Sequence, residues 1–256
     1  MDDAVERHVM GNLWIREMLL EMDDCLNPVM GISDFDDSVC ADFSGRILAS
    51  TDGPYDKRLV MRSALVHAAT DVVVKGGIPL FALDNLCGKK DDIVEMLASL
   101  KRQAQYMRIP LIGGNTKYED VKPTACVTVL GKLLISEPIR DCSAKKGDVI
   151  ALFGQPIWGG QEERLTEAKK MFDTWFYALK TVDISSAKDV TKGGLVSCIY
   201  EMQMKSGKIF EAIRYPYPRS RNLDNFLITL QPMQYLKLER ICDKNRVKLE
   251  KLGSVK

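Results

Sequence analysis

The chain has 256 residues, of which 46% are hydrophobic and 28% charged, and its formal net charge at pH 7 is +1. This length and composition fit an ordinary globular protein of one large domain or two smaller ones. The small net charge argues against nucleic-acid binding through bulk electrostatics. No apolar run reaches the roughly 18 to 20 residues of a membrane span, and the acidic start 1–4 does not resemble a signal peptide. We therefore expect a cytoplasmic protein with neither a nucleic-acid nor a membrane partner.

The periodicity of the first half predicts mixed helices and strands. In chain order we expect an amphipathic helix over 3–22, strands over 38–42 and 47–50, a buried helix over 59–75, a strand over 80–86, a helix over 91–108, and strands over 109–112 and 124–135. The pair Gly76-Gly77 and then Pro79 end the helix that precedes them.

The second half repeats the alternation of strands and helices. We expect a strand over 149–154, a charged helix over 162–181, a helix that opens at Asp189 and runs to 204, a strand over 226–230 and a helix over 233–247. Such alternation predicts an α/β protein with two layers in each half. We place the domain boundary near residue 140, giving an N-terminal domain over 1–140 and a shorter C-terminal domain over 141–256.

The seven cysteines do not indicate a metal or disulfide site. Their number is odd and no two have Cys-x-x-Cys spacing, whereas zinc sites and disulfide frameworks need paired cysteines. We interpret all seven as structural residues, with Cys126 in the apolar run 125–130 as the plainest example.

Four acidic or glycine-rich segments stand next to apolar runs in the first half, and we interpret them as turns. They are Asp34–Asp37, Ser50–Pro54, Ala69–Asp71 with Lys75–Pro79, and Ile112–Thr116. A carboxylate at the end of a buried segment is costly unless it meets a cation or hydrogen-bond donors. Divalent cations such as Mg²⁺ bind carboxylate oxygens together with substrate phosphates. The four segments therefore predict one shared site for a polyanion and a metal.

These segments and two later ones resemble the motifs of the aminoimidazole ribonucleotide (AIR) synthetase superfamily, also called PurM-like. The resemblance rests on four segments in order: the run 47–86 ending in Asp71-(x)4-Gly76-Gly77-Ile78-Pro79, the segment Ile112-Gly113-Gly114-x-Thr116, Lys146-Gly147-Asp148, and Asp189-x-Thr191-x-Gly193-Gly194. The superfamily includes thiamine-monophosphate kinase, selenophosphate synthetase and the hydrogenase-maturation dehydratase. The resemblance covers roughly residues 34–200.

The resemblance implies a two-domain, ATP-dependent, Mg²⁺-requiring enzyme that phosphorylates or activates a small molecule. It also implies a homodimer whose N-terminal sheets pair, with magnesium-ATP bound near that interface. By position in the motifs, the metal ligands would be Asp37, Asp52 and Asp71. The residues that bind the nucleotide would be Ser50, Thr51, Asp52, Gly113, Gly114, Asn115, Thr116, Asp189 and Thr191. The resemblance gives no general base.

Two features favour other functions. Asn115 stands where the related kinases and the purine enzyme carry an acid, and the second half is short, which favours a non-catalytic nucleotide-binding or regulatory paralogue on the same dimeric scaffold. An amidotransferase-type synthetase subunit is a further alternative, and it would need a separate glutaminase because nothing in this sequence supplies one.

Several candidate residues also have a plain structural interpretation. Asp52 and Asp71 could serve as a turn cap and a helix-end carboxylate, and Asp189 has the pattern of a helix N-cap. Asn115 could be a left-handed turn residue. His67 fits a buried core position better than a catalytic one.

Two further segments have alternative interpretations. Lys75 could reach a phosphate, although a solvated helix end is the favoured interpretation. The paired glycines of Trp158-Gly159-Gly160-Gln161 suit a mobile lid.

Overall fold

The structure is a computed structural model that describes residues 13–27, 32–34 and 44–256. The predicted strand over 38–42 and the predicted metal ligand Asp37 lie outside the described residues. The chain divides into two compact units. The first comprises Met1–Ala68 and Pro79–Lys132, and the second comprises Ala69–Ile78 and Leu133–Lys256.

The first unit is built around a four-stranded sheet with the order β1-β4-β2-β3. The strands are β1 (Ile47–Asp56), β2 (Gly77–Gly88), β3 (Leu111–Tyr118) and β4 (Thr124–Leu133). The pair β1–β4 is antiparallel and the pair β2–β3 is parallel. The parallel pair needs a crossover, which helix α5 (Lys90–Met107) provides.

Four shorter helices complete the helical part of the described N-terminal half. They are α1 (Leu13–Leu19), α2 (Asp23–Leu26), α3 (Lys57–Val60) and α4 (Ala64–Val74). Helix α4 begins in the first unit and ends in the second.

Helix α5 is fixed to the end of α3 and to the start of α4 by a buried polar side chain. Gln103 is fully buried, accepts a hydrogen bond from Leu65 N at 3.0 Å, and donates to Val60 O at 2.7 Å. Ser99 donates to the same carbonyl at 3.0 Å. Buried amides are tolerated only when they are satisfied in this way, so these bonds define one position of α5 against the chain.

The second unit contains a five-stranded sheet with the order β6-β8-β5-β9-β7. Its strands are β5 (Val149–Phe153), β6 (Ser186–Asp189), β7 (Phe210–Ala212), β8 (Phe226–Leu230) and β9 (Leu249–Val255), and its helices are α6 (Gln161–Ala178), α7 (Gly194–Ser206) and α8 (Pro232–Asn245). Every residue of β5 and β8 is buried. Both faces of these central strands are therefore covered, which explains why their sequences are apolar apart from Thr229.

Aromatic side chains form the core beneath helix α6. The ring centroid of Trp175 lies 5.0 Å from that of Phe153 and 5.1 Å from that of Phe226. The Trp175 indole donates a hydrogen bond to Val73 O at 2.8 Å. A buried indole needs such a partner, and here it fixes the last turn of α4 against α6 within the second unit.

The structure confirms the α/β class and most predicted elements after residue 56. Helices α5, α6 and α8 and strands β4, β5 and β8 lie within a few residues of their predicted bounds. The predicted helix over 59–75 is instead two helices, α3 and α4, separated by a turn at 61–63. No helix among the described residues combines the length and the apolar character needed to cross a bilayer.

Several local predictions are wrong. Segments 50–54 and 112–116 are not turns: both lie inside strands, β1 and β3. Asp189 does not begin a helix, because it ends strand β6 and helix α7 starts only at Gly194. Asn115 does not have a left-handed backbone, since its φ is not positive. In each case a sheet partner distant in the sequence overrides the local turn or cap preference.

Candidate functional site

The segment Ser50–Asp52 lies on strand β1 immediately before a bulge. Thr51 pairs with Thr128 of β4, and their hydroxyl oxygens are 2.8 Å apart. The register shifts between Asp52 and Tyr55, and Asp52 Oδ1 accepts a hydrogen bond from Gly53 N at 2.8 Å. Bulges re-aim the side chains next to them. Asp52 is thus a half-buried carboxylate at an irregular position of an edge strand.

The predicted phosphate segment Gly113–Thr116 lies on strand β3, at the other edge of the same sheet. Gly113 has a φ of +131°, which only glycine adopts readily, and a Cβ there would meet open space. Gly114 and Asn115 are exposed and Thr116 is half-buried. The segment therefore presents a bare backbone, which suits the close approach of an anion.

Asp84 is a buried acid beneath this segment that the sequence interpretation did not select. It pairs with Gly114 across the parallel strands β2 and β3, just after a shift in register. The residue is 7% exposed, and its Oδ2 has no hydrogen-bond partner among the described residues. Burial raises the pKa of Asp84 to about 8. The available signal was an acid inside the apolar run 80–86.

The two predicted nucleotide segments of the first unit stand apart in the sheet. Among the described residues, strands β1 and β3 are its edges, with β4 and β2 between them. Three strand spacings separate them by about 14 Å in the hydrogen-bonding direction. The structure therefore does not place Ser50–Asp52 and Gly113–Thr116 side by side on neighbouring strands.

In the second unit, Asp71 on helix α4 and Asp189 at the end of strand β6 are electrostatically coupled. Asp189 is 6% exposed, whereas Asp71 is half-buried. Burial, followed by the negative charge of Asp71, raises the pKa of the Asp189 carboxyl to about 6, and the ammonium groups of Lys188 and Lys75 oppose this rise. Two carboxyl groups that resist simultaneous ionisation are suited to share a cation.

Lys75, just after α4, is held in a fixed position beside this pair. Its ammonium group donates to Ala187 O of β6 at 2.7 Å and also pairs with the Asp141 carboxylate. Its side chain is 28% exposed, so the predicted solvated helix end is wrong. The connection from α4 to β6 is therefore made by a charged side chain.

The Asp141 carboxylate pairs with two lysines. Lys205 of α7 donates to its Oδ2 at 2.7 Å, while Lys75 pairs with its Oδ1. Burial alone would raise the pKa of Asp141, but Lys75 and Lys205 outweigh it and hold that pKa below its ordinary value. Lys188 of β6 pairs in turn with Glu201 of α7 at 3.3 Å. We call Lys75, Asp141, Lys188, Glu201 and Lys205 the lysine–carboxylate network.

The segment after Asp189 turns into helix α7. Thr191 O accepts a hydrogen bond from Gly194 N at 2.9 Å, and Arg219 O accepts one from Val196 N at 3.2 Å. Cys198 Sγ donates to Asp189 O at 2.9 Å. The backbone of Asp189 is therefore fixed from the helix side, and part of the first turn of α7 already has acceptors.

The Lys146-Gly147-Asp148 motif has a structural role in the second unit. Asp148 is fully buried, and its carboxylate accepts hydrogen bonds from Lys145 N at 2.9 Å, from Thr229 Oγ1 at 3.2 Å and from Gln231 Nε2 at 2.6 Å. The Thr229 hydroxyl lies 2.8 Å from that of Ser186 at the start of β6. This chain of bonds aligns β6, the strand that carries Asp189.

The predicted lid over 158–161 is attached to its surroundings. The Trp158 indole donates to Asn222 O at 2.9 Å, and the neighbouring Ile157 N donates to Leu223 O at 2.8 Å. The Arg221 guanidinium lies 4.1 Å from the centroid of the Trp158 ring, in cation–π geometry. These contacts argue against a free lid at this position.

His67 and the acidic candidates have different outcomes. His67 is 6% exposed and its ring lies 5.8 Å from that of Tyr55, as expected of a core histidine.

Among the described residues no group of three His, Cys, Asp or Glu side chains is placed to hold a metal by itself. Asp52 belongs to the first unit and Asp71 to the second, so a metal shared by both stays a prediction.

Comparison with known proteins gives a consistent result. Residues 36–133 match the family model described as AIR synthase related protein, N-terminal domain. The uncharacterized protein MJ0799 of Methanocaldococcus jannaschii is 33% identical over 258 residues, covering 98% of this chain and 86% of that protein.

Two more distant similar proteins are named for an activity or a ligand. Selenide, water dikinase of Caldanaerobacter subterraneus subsp. tengcongensis is 28% identical over 178 residues, which cover 62% of this chain and half of that enzyme. Among solved structures, the hydrogenase maturation protein HypE in complex with ATP superposes with a TM-score of 0.73 at 18% identity, covering 96% of this chain and 86% of HypE. This likeness establishes the fold that the sequence motifs predicted.

Proposed function

Since the chain belongs to the AIR synthase-related (PurM-like) family, we propose that it is an ATP-dependent, Mg²⁺-requiring enzyme that phosphorylates or activates a small molecule. The observation that carries this proposal is that Lys75, one turn after Asp71, bonds to Ala187 O, two residues before the buried Asp189. The charge of Asp71 acts on the Asp189 carboxyl, as expected for two acids on elements joined in this way. Ionising both carboxyl groups of a close pair is costly. A divalent cation that binds to both of them offsets this cost.

The residues present fit a magnesium ion completed by a nucleotide. Mg²⁺ is usually held by one or two carboxylates, and waters and phosphate oxygens fill its remaining positions. The Asp71–Asp189 pair matches that number. When bound, the ion would neutralise charge on the transferring phosphoryl group. Asp52, Thr191 and, outside the described residues, Asp37 remain proposed contributors.

The first unit supports the nucleotide part of the proposal through its exposed backbone. We propose that Gly113, Gly114, Asn115 and Thr116 line the phosphates of ATP, as do Ser50 and Thr51. The two segments lie on opposite edges of one sheet. Exposed edge strands favour pairing with another chain. We therefore propose a homodimer that pairs through this sheet, with the nucleotide near the interface.

The test is a thermal-shift titration with Mg²⁺ and a non-hydrolysable ATP analogue. Ligand at about 100 times its Kd stabilises a protein by about 2.7 kcal/mol, enough for a clear rise in Tm. We expect this rise for the wild type and its loss in Asp71→Asn and Asp189→Asn. Asp173→Asn is the matched control, because Asp173 is an exposed acid of α6. No nucleotide-dependent shift in the wild type would refute the proposal.

A second candidate is a nucleotide-binding paralogue without turnover, and the neutral, exposed Asn115 favours it. Release of ADP, measured with libraries of small-molecule alcohols, amines and acids, separates the two. Binding without ADP release on any of them favours the regulatory alternative. Light scattering tests the dimer independently, and a stable monomer would contradict it.

A further inference from the structure

The lysine–carboxylate network places fixed positive charge next to the proposed metal ligands. Lys75 follows Asp71 by one helical turn and bonds to Ala187 O, two residues before Asp189 on the same strand. Lys75 and Lys188 both act on the Asp189 carboxyl. The ammonium groups of Lys75 and Lys188 therefore lie close to the pair of acids even without a metal.

The charges of this region nearly cancel. Three lysines face four carboxylates, which are Asp71, Asp141, Asp189 and Glu201. With all of them ionised, the net charge of these described side chains is −1. A divalent cation arriving alone would meet almost no net attraction and a nearby ammonium group that repels it.

A nucleotide changes this balance, because its phosphates carry several negative charges. On the basis of the proposed ATP site, we propose that Lys75 makes metal binding depend on the nucleotide: the Asp71–Asp189 pair binds bare divalent cations weakly and accepts the ion together with a polyphosphate. Asp141 is the residue that positions Lys75, since it pairs with the same ammonium group that bonds to Ala187 O.

Lys205 provides a matched control for Lys75. Both lysines pair with the Asp141 carboxylate, and both substitutions remove one positive charge. Lys205 is 48% exposed, against 28% for Lys75. Lys205 is also not among the charges that act most strongly on Asp189, whereas Lys75 is. A specific effect of Lys75 is therefore separable from a general change in net charge.

The experiment measures Mn²⁺ binding to the full chain by calorimetry, first with the metal alone and then with a non-hydrolysable ATP analogue present. We expect weak binding of Mn²⁺ alone to the wild type and a Kd about tenfold lower in Lys75→Met. Lys205→Met should change that Kd less than about twofold. The analogue should raise the Mn²⁺ affinity of Lys75→Met less than it raises that of the wild type. The two gains should differ by the same factor as the two Kd values for Mn²⁺ alone.

Folding of the variants is checked by thermal unfolding. Asp141 keeps Lys205 as a partner in Lys75→Met, so no buried carboxylate is left without a cation. Lys75→Gln is the second variant, since it retains a hydrogen-bond donor while it removes the charge, and it should behave as Lys75→Met does.

Three results would overturn this inference. The first is an unchanged Kd for Mn²⁺ alone in both Lys75 variants, and the second is an equal effect of Lys205→Met on that Kd. The third is a loss of analogue binding in Lys75→Met with no change in the Kd for Mn²⁺ alone, which would make Lys75 a phosphate ligand. Failure of the wild type to bind the analogue at all refutes the proposed function instead, so the two failures are distinguishable.

Discussion

Gly114 and Asp84 lie directly opposite each other in the parallel pair of strands β2 and β3, and no side chain fits between them. A Cβ on Gly114 would lie 1.8 Å from the Asp84 carbonyl oxygen and 2.7 Å from its Oδ1. Backbone atoms at such distances must move apart. The exposed backbone of the phosphate segment and the buried acid beneath it are thus parts of one packing arrangement.

Gly114→Ala should therefore be strongly destabilising. The methyl group would force β2 and β3 apart, with an expected loss of about 3 kcal/mol in the free energy of unfolding. Urea denaturation measures this loss. The same variant should lose the nucleotide-dependent thermal shift, because the segment that we propose contacts the phosphates would be displaced.

Gly113→Ala is the matched control for that substitution. Its Cβ would meet no atom within 4 Å, so only the backbone strain at a φ of +131° remains. We expect a smaller loss, about 1–2 kcal/mol. Equal losses in the two variants would contradict the close packing of Gly114 against Asp84.

Asp84 should make stability fall as the pH rises. Its folded-state pKa is about 8, above the ordinary aspartate value, so the folded chain binds a proton that the unfolded chain has released. The stabilising contribution is complete below the unfolded pKa and is lost as the pH rises through about 8. Tm measured between pH 6.5 and 9 should decline in the wild type and stay flatter in Asp84→Asn.

The pH interval is chosen to exclude Asp189, whose pKa of about 6 places its own change at lower pH. Asp189→Asn is therefore the control, and it should keep the decline above pH 6.5. A parallel decline in Asp84→Asn and the wild type would show that the buried carboxyl does not hold a proton in the folded chain.

The elements that the sequence predicted well are those with a strong local signal. Strand β8 is apolar at four of its five positions, and α5 has acids in its first turn and apolar positions at helical spacing. The short edge strand β7 and the strand β9 were missed. The sequence of β7 is short, and that of β9 is interrupted by charged residues and a glycine. Both segments form strands because a neighbouring strand of the sheet pairs with them.

The lysine–carboxylate network around the candidate metal ligands could not be predicted from the sequence. Asp71 and Asp189 were selected from motifs, but Lys75 pairs with Asp141 across 66 residues and bonds to Ala187 across 112. No local periodicity encodes such separations. Asp84 stood in the sequence as an acid within an apolar strand, and only its burial opposite Gly114 makes it informative.

Asp148 should contribute to stability through its hydrogen bonds rather than to nucleotide binding. Asp148→Ala would leave the donors of Gln231, Thr229 and Lys145 without their acceptor, which should cost about 3 kcal/mol in the free energy of unfolding. Asp173→Ala, on the exposed face of α6, should cost less than about 0.5 kcal/mol. If urea denaturation gives similar values for the two, the buried bonds are not what aligns strand β6.

Asn115→Asp tests whether the neutral side chain on β3 weakens metal–nucleotide binding. Asn115 is exposed and lies opposite Asn85, which is also exposed, so Asn85→Asp adds the same charge on the neighbouring strand. If Asn115 lies near the metal, an added carboxylate should lower the Mg²⁺ concentration needed for half-maximal binding of the ATP analogue by roughly threefold to tenfold. Asn85→Asp should have a smaller effect, because its charge stands one strand further away. Weaker binding in Asn115→Asp would place position 115 against the phosphates instead, because two like charges would then repel each other.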